Sequence, residues 1–150
     1  MRLNMDCVRD ILLCVEDNTG LRKHCLFVDI SPFANDVRRA LGDDPSDIEV
    51  PTYELPMLDQ YGNDTLIYHV EYCIKGALLE QREPLSGEAG MITIKDLTVK
   101  GHELLGNIRE KTAWEKVKSV LSQAGVFGLD AMFSVASDLA IQSTKMILGL

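Results

Sequence analysis

Apolar residues first recur with helical spacing in "NMDCVRDILLCVED", where Val8, Ile11, Leu12 and Val15 stand at i, i+3, i+4 and i+7. This predicts an amphipathic helix with Asn4 as N-cap and Asp6 favourable in the first turn, ended by "DNTG". "HCLFVDI" (24–30) is a short β-favouring run. "SPFANDVRRALG" reads as a second helix, with Ser31 as cap, Pro32 at the first helical position and Gly42 as terminator. "DDPSDIEVPTYELPMLDQYGN" holds three prolines and only short extended pieces, so it predicts a long acidic loop or an irregular β excursion.

A third helix starts at about Asp64 in "DTLIYHVEYCIKGALLE" and runs into a strand. "ALLEQREPLSGEAGMITIKDL" carries two β-like runs around a Pro, Ser and Gly-rich turn, which predicts a hairpin with a loose tip. Thr98 then caps a helix with Leu104, Leu105 and Ile108 in its stripe. "TAWE" reads as a capping box of Thr112 and Glu115 that opens a helix bearing Trp114, Val117 and Leu121, closed by Gly125. In the tail "DAMFSVASDLAIQSTKMILGL", Met132, Val135, Ala136, Leu139 and Met146 keep helical spacing. Packing on the first helix or on a second copy of the chain is expected there, and the shortage of cations argues against a membrane-surface helix.

The order helix, strand, helix, helix, strand, turn, strand is that of a winged-helix protein. The expected fold class is therefore α+β, mainly helical, with a winged helix-turn-helix core at 1–110, an acidic insertion at about 43–63 before the third helix, and a helical extension at 111–150 that belongs to the same compact domain or serves dimerisation. At 100° per residue, Leu66, Ile67, Val70, Cys73 and Ile74 share the core side of the third helix, while Asp64, Thr65, Tyr68, Glu71, Tyr72 and Lys75 share the other. Tyr68 and Tyr72 at i, i+4 suit a protein interface, where tyrosines dominate the binding energy. The competing reading has the acidic loop or the tail folded over them.

Charge decides which ligand that helix suits. Of the net −8, residues 1–40 carry none and residues 41–90 carry −9, from eleven acids and two bases; residues 91–150 carry +1. Nucleic-acid binding draws its affinity from phosphate neutralisation, and this middle block repels phosphate. The 150 residues suffice for one domain with its own core, and the charged N-terminus and the absence of a long apolar run lead to a cytoplasmic expectation without membrane contact. Cys7, Cys14, Cys25 and Cys73 form no CxxC pair and are expected to be reduced, small apolar residues.

Candidate chemistry is sparse. His69 and Cys73 are one turn apart and, with His24 and Cys25, have the makings of a zinc site; a hydrogen-bonded core histidine is the better reading. His102, beside Gly101, reads as a packing or capping residue. Nucleophile-elbow, phosphate-loop, zinc-protease and dinucleotide motifs are missing, as is EF-hand spacing, so no enzyme, no cofactor and no metal are expected.

"MDCVRDILLCVE", "YHVEYCIKGALLE" and "LTVKGHELLGNIREKTAWEKVK" resemble, in order and spacing, the motifs of an uncharacterised domain-of-unknown-function family of bacterial and phage proteins with a winged-helix-like core. The third is the most specific, LTxxGHELL followed by IR and then T-x-W-x-K-V. The segments cover about a third of the chain and leave out Lys23 to Gln60; Gly76-Ala77 stands where the family has Ala-Gly. The resemblance implies the winged-helix core and an origin in a prophage or other mobile element, and transfers no catalytic residue.

Two functional expectations follow. One is a protein-interaction or inhibitory module that docks a protein partner through Asp64, Tyr68, Glu71 and Tyr72 and its acidic surface. The other is a DNA-binding transcriptional regulator, a homodimer through the C-terminal helix, with Lys75, Arg82, Lys95 and Lys100 on phosphates. A positive patch assembled from Arg38, Arg39, Arg109 and Lys111 would favour the second.

Overall fold

Asn4 accepts the Cys7 backbone N–H at 3.1 Å, and α1 (Met5–Asn18) starts there, burying Cys7, Val8, Ile11, Leu12 and Val15 as its spacing requires. The computed structural model describes residues 1–150 as a mainly helical α+β fold of seven α-helices and one three-stranded antiparallel sheet. The strands are β1 (Cys25–Val28), β2 (Leu79–Gln81) and β3 (Met91–Leu97), in the order β1-β3-β2. Cys25 pairs with Ile94 and Val28 with Met91 on one side of β3, and Leu79 with Leu97 on the other. One apolar core joins α1, the sheet and the later helices, and no helix is long and apolar enough to cross a membrane.

Strand β1 pairs only with β3, so its other edge would leave backbone groups open to pairing with foreign strands. The supposed loop covers that edge. The Tyr53 hydroxyl accepts the Leu26 N–H at 2.6 Å and donates to the Leu26 carbonyl at 2.8 Å, and both Glu54 carboxylate oxygens lie 3.1 Å from the Val28 N–H. Residues 43–63 are therefore no long loop: a 3-10 turn forms at Pro45–Asp47, and α3 occupies Leu55–Tyr61 with Pro56 in its first turn. The Tyr61 hydroxyl donates to Asp10 of α1 at 2.5 Å, and Gly62, at φ 80°, turns α3 directly into α4 (Asn63–Lys75).

Helix α2 (Pro32–Ala40) has the expected Ser31 cap and Pro32 start, and it fastens the hairpin tip. Arg38, fully buried, donates to the carbonyls of Ala89 at 3.0 Å and Gly90 at 2.9 Å and to Asn35 at 2.8 Å. Gly90 has φ 70°, and a Cβ there would stand 2.5 Å from the guanidinium. Across the hairpin, Arg82 holds Glu88 through contacts of 2.5 and 2.7 Å. The tip is pinned from two sides, which corrects the expectation of a loose one.

Thr98 caps α5 (Val99–Ile108) by accepting the Gly101 N–H at 3.0 Å. The glycine of the "LTVKGHELL" motif is needed because the helix start lies against the link between α4 and β2: a Cβ on Gly101 would sit 2.2 Å from the Leu78 carbonyl oxygen. Helix α6 (Lys111–Ala124) begins one residue before Thr112 and has Glu110 at its cap without a side-chain bond, so the "TAWE" capping box does not form; Glu115 instead pairs with Lys118 at 3.3 Å. Trp114 is buried and its indole N–H donates to Asp6 at 2.7 Å, tying α6 to α1. Gly125 closes α6 in the left-handed conformation. Helix α7 (Leu129–Leu148) buries Leu129, Met132 and Ala136 against α5 and α6 rather than on the first helix, and Met146 is exposed. Cys7, Cys25 and Cys73 are buried as expected, with Cys14 half-buried.

Three outcomes follow for stability. Burial raises the Glu54 carboxyl to about 7, against the opposing Val28 N–H, with the charge of Asp29 adding to the rise. The unfolded carboxyl releases its proton near 4.5 and the folded one near 7, so stability falls as pH climbs through that window and levels off above it. Thermal melting from pH 4 to 8 should show this decline, flattened in Glu54→Gln; Glu54→Ala should cost about 1–3 kcal/mol by orphaning the Val28 N–H. After α4, Ala77 takes φ 59°, the position that glycine favours in this helix-ending turn, while Leu78 N–H bonds back to the Cys73 carbonyl at 2.9 Å. Ala77→Gly should therefore stabilise by about 0.5–1 kcal/mol in chemical denaturation. Gly101→Ala should destabilise by about 1–3 kcal/mol through overpacking.

Candidate functional site

Helix α4 turns Leu66, Ile67, His69, Val70 and Cys73 into the core, with Ile74 half-buried. The buried His69 uses both ring nitrogens: Nε2 accepts the Asn4 backbone N–H at 2.8 Å, and Nδ1 lies 2.7 Å from the Thr65 carbonyl, to which it donates. Those partners define a neutral tautomer and a core histidine that ties α4 to the start of α1. Desolvation pushes the Cys73 thiol far above its ordinary value. His24 lies on the surface, and no three His, Cys, Asp or Glu side chains gather with metal-binding geometry. His102 neither packs nor caps: it is exposed on α5, with Nε2 3.5 Å from Asp96.

On the outer face, Tyr68 is 40% exposed and stacks on Tyr72, with ring centroids 6.3 Å apart and planes inclined by 24°; its edge contact with the His69 ring at 5.3 Å fixes it from beneath. The two readings of this pair divide between its members. Tyr68 stays at the surface, whereas Tyr72 is half-covered by the start of α7 and lines a cleft of about 650 Å³ with Lys75, Gly76, Val126, Leu129 and Asp130. Gly76 permits that approach, since a Cβ there would lie 2.3 Å from the end of the Leu129 side chain. Asp64 and Glu71 are exposed on the same helix, and neither forms an ion pair; Asp130 lies across the cleft.

Val126 and Phe127 are both about half exposed in the link between α6 and α7; Val126 lines the cleft, and neither was singled out from the sequence. Their signal is "GVFG", two large apolar residues between glycines with no period to bury them. Tyr53, Glu54 and Arg38 were also missed as structural residues, because their partners are carbonyls and amides of segments remote in sequence.

The four cations considered for phosphate contact are mostly engaged with acids. Arg82 is bound to Glu88, whose carboxyl this hydrogen bond holds below its usual range; Lys95 lies 4.0 Å from Glu80, and Lys100 lies 3.8 Å from Asp130 and 5.6 Å over the Phe133 ring. Lys75 alone of the four has no carboxylate within 4.0 Å. Among the distant bases, Arg38 is buried under the hairpin tip, Arg39 pairs with Asp36 at 3.1 Å and Arg109 with Glu16 at 2.6 Å, leaving Lys111 exposed.

No curated protein and no solved structure matches the chain. A family described as hypothetical protein (DUF2513) matches residues 2–127, which takes in Lys23 to Gln60 as well as the three motifs and stops just short of α7. On that match, across more than four-fifths of its length, the chain belongs to the DUF2513 family.

Proposed function

We propose that this chain is a non-enzymatic winged-helix protein of phage or mobile-element origin that acts as a protein-interaction or inhibitory module, docking a partner on the outer face of α4. The carrying observation is the exposed Tyr68–Tyr72 stack opening onto the apolar cleft beside Val126 and Leu129, with Asp64, Glu71 and Asp130 around it. Stacked tyrosines supply large contact area at small entropic cost, and clustered aromatics are where interface energy concentrates. A partner that suits this surface presents apolar side chains flanked by Lys or Arg.

The β1-β3-β2 sheet and the hairpin after α4 support the winged-helix reading, in which α4 would take the recognition position; α3 is a helix added to the expected order, so the expected third helix is the fourth. The charge of α4 and of residues 41–90 favours a protein over DNA.

Two measurements separate the readings. In pull-downs from host lysate, Tyr68→Ala or Tyr72→Ala combined with Glu71→Lys should lose the partner recovered by the wild type, by roughly thirtyfold or more in affinity for hot-spot tyrosines; an unchanged profile counts against the proposal. In fluorescence anisotropy with random duplex DNA at low salt, no binding at micromolar protein is expected, and binding with a steep salt dependence would favour the transcriptional regulator.

A further inference from the structure

Helix α7 changes character halfway along. Its first part is docked through Leu129, Met132 and Ala136, yet every residue from Ile141 to Leu150 is exposed although the helix continues to Leu148. This overhang is not polar: Met146 is 81%, Ile147 85% and Leu150 86% exposed, with Ile141 and Leu148 also open, and Lys145 is its one charge. Some ten residues with no packing make at best a marginal helix in water. At 100° per residue the stripe that carries Leu129, Met132 and Ala136 runs on through Ala140, Ser143 and Ile147, so the overhang extends the helix's core-facing side past the end of the body.

Beside that junction lies a groove of about 400 Å³ between α5, α6 and α7, its floor made by Ala113, Val117, Leu139 and Ala140 and its rim by Glu110 and Lys116. Groove and overhang adjoin along α7, the groove with four apolar residues in its lining and the overhang projecting beyond it. We infer that α7 is a dimerisation element: in a two-fold pair, the overhang of each copy lies antiparallel in the groove of the other.

Three observations select a second copy as the occupant. The arrangement is self-complementary, so one symmetric contact covers both overhangs and both grooves and closes without leaving a patch for further growth. The open overhang side chains lie on more than one side of the helix, Ile147 on the core-facing side and Ile141 and Leu148 about 100–120° away, so covering them takes a groove and a second α7 together, toward the roughly 800 Å² that each partner gives to a standard stable interface. Charge permits the meeting there: residues 91–150 sum to +1, the rim carries one acid and one base, of which Glu110 can pair with Lys145 of the other copy while Lys116 cannot, and the −9 block falls within residues 41–90. A lipid surface fits less well, because a membrane-bound amphipathic helix needs a cationic face and this segment has one lysine. The inference is independent of the α4 surface.

Sedimentation velocity of the full chain tests it. The wild type should sediment at twice the chain mass at micromolar concentration. Ile147→Glu with Leu150→Glu, both fully on the surface, should shift it to monomer with at least a tenfold weaker dimer and an unaltered melting curve, and Ala140→Glu in the groove should do the same. Tyr68→Ala with Glu71→Lys should leave the dimer intact, so loss of partner capture and loss of dimer are read separately. A monomeric wild type overturns the inference, as does a dimer that survives the overhang and groove variants. Flotation of a monomeric wild type with phosphatidylcholine–phosphatidylglycerol vesicles would likewise overturn it and assign the overhang to lipid.

Discussion

Strand β1 has a neighbour on one side only, and the backbone groups of Leu26 and Val28 face away from that neighbour. The tolerable solutions are to expose such an edge to water, with the risk of foreign strand pairing, or to cover it with groups that satisfy it. This chain covers it with two consecutive side chains, Tyr53 answering both the N–H and the carbonyl of Leu26, and Glu54 answering Val28. The next two helices follow directly from that clasp. Glu54 is the cap residue of α3, Tyr61 at the other end of α3 reaches Asp10 of α1, and the next residue turns the chain into α4. A carboxylate buried for this purpose has its own cost, visible in its raised pKa, and that cost is accepted where an amide was the alternative acceptor.

Four of the arginines are spent in the same manner. Arg38 binds the hairpin tip, Arg9 joins α1 to the end of α5 through the carbonyls of Ile108 and Arg109, Arg109 reaches Glu16, and Arg82 closes the hairpin on Glu88. Guanidinium groups suit this work, since their fixed fork of donors satisfies several carbonyls or carboxylate oxygens at once. These four guanidinium groups are engaged with the chain itself, while Lys75 and Lys111, like Asp64 and Glu71, remain at the surface without an ion pair.

What could be read from the sequence was local. The Asn4, Ser31 and Thr98 caps, the Gly125 stop and the apolar faces of α1, α4 and α6 all depend on residues within a turn or two, and the hairpin on adjacent β-like runs. The insertion was illegible because its order comes from β1, twenty-seven residues from Tyr53, and because prolines that suggest a loop are equally at home in the first turn of a helix, as Pro56 is. The capping box failed for the opposite reason: a correct local pattern at Thr112 and Glu115 was overridden when α6 started one residue earlier and Lys118 took the glutamate. At the candidate surface, periodicity located Tyr68, Tyr72, Asp64 and Glu71 on the outer face, but Val126 belongs to it only because α7 folds back on Gly76, a close approach that no spacing announces.

The proposed binding role draws on rigid presentation. Asn63 at the start of α4 accepts the Ile30 N–H at 2.9 Å and donates to Asp29 at 2.8 Å; His69 in its middle is bonded to Asn4; Gly76 at its end is overlain by Leu129. The helix is thus held at both ends and from below, by three different parts of the chain. A surface fixed in this way would lose little conformational freedom on meeting the proposed partner, so more of the contact energy of Tyr68 and Tyr72 would survive as affinity. The same reasoning sets α4 apart from the α7 overhang. The first is a finished surface whose exposed aromatics are already stacked and supported, while the second is a helix whose apolar side chains have no support within the chain and gain their order only from whatever covers them.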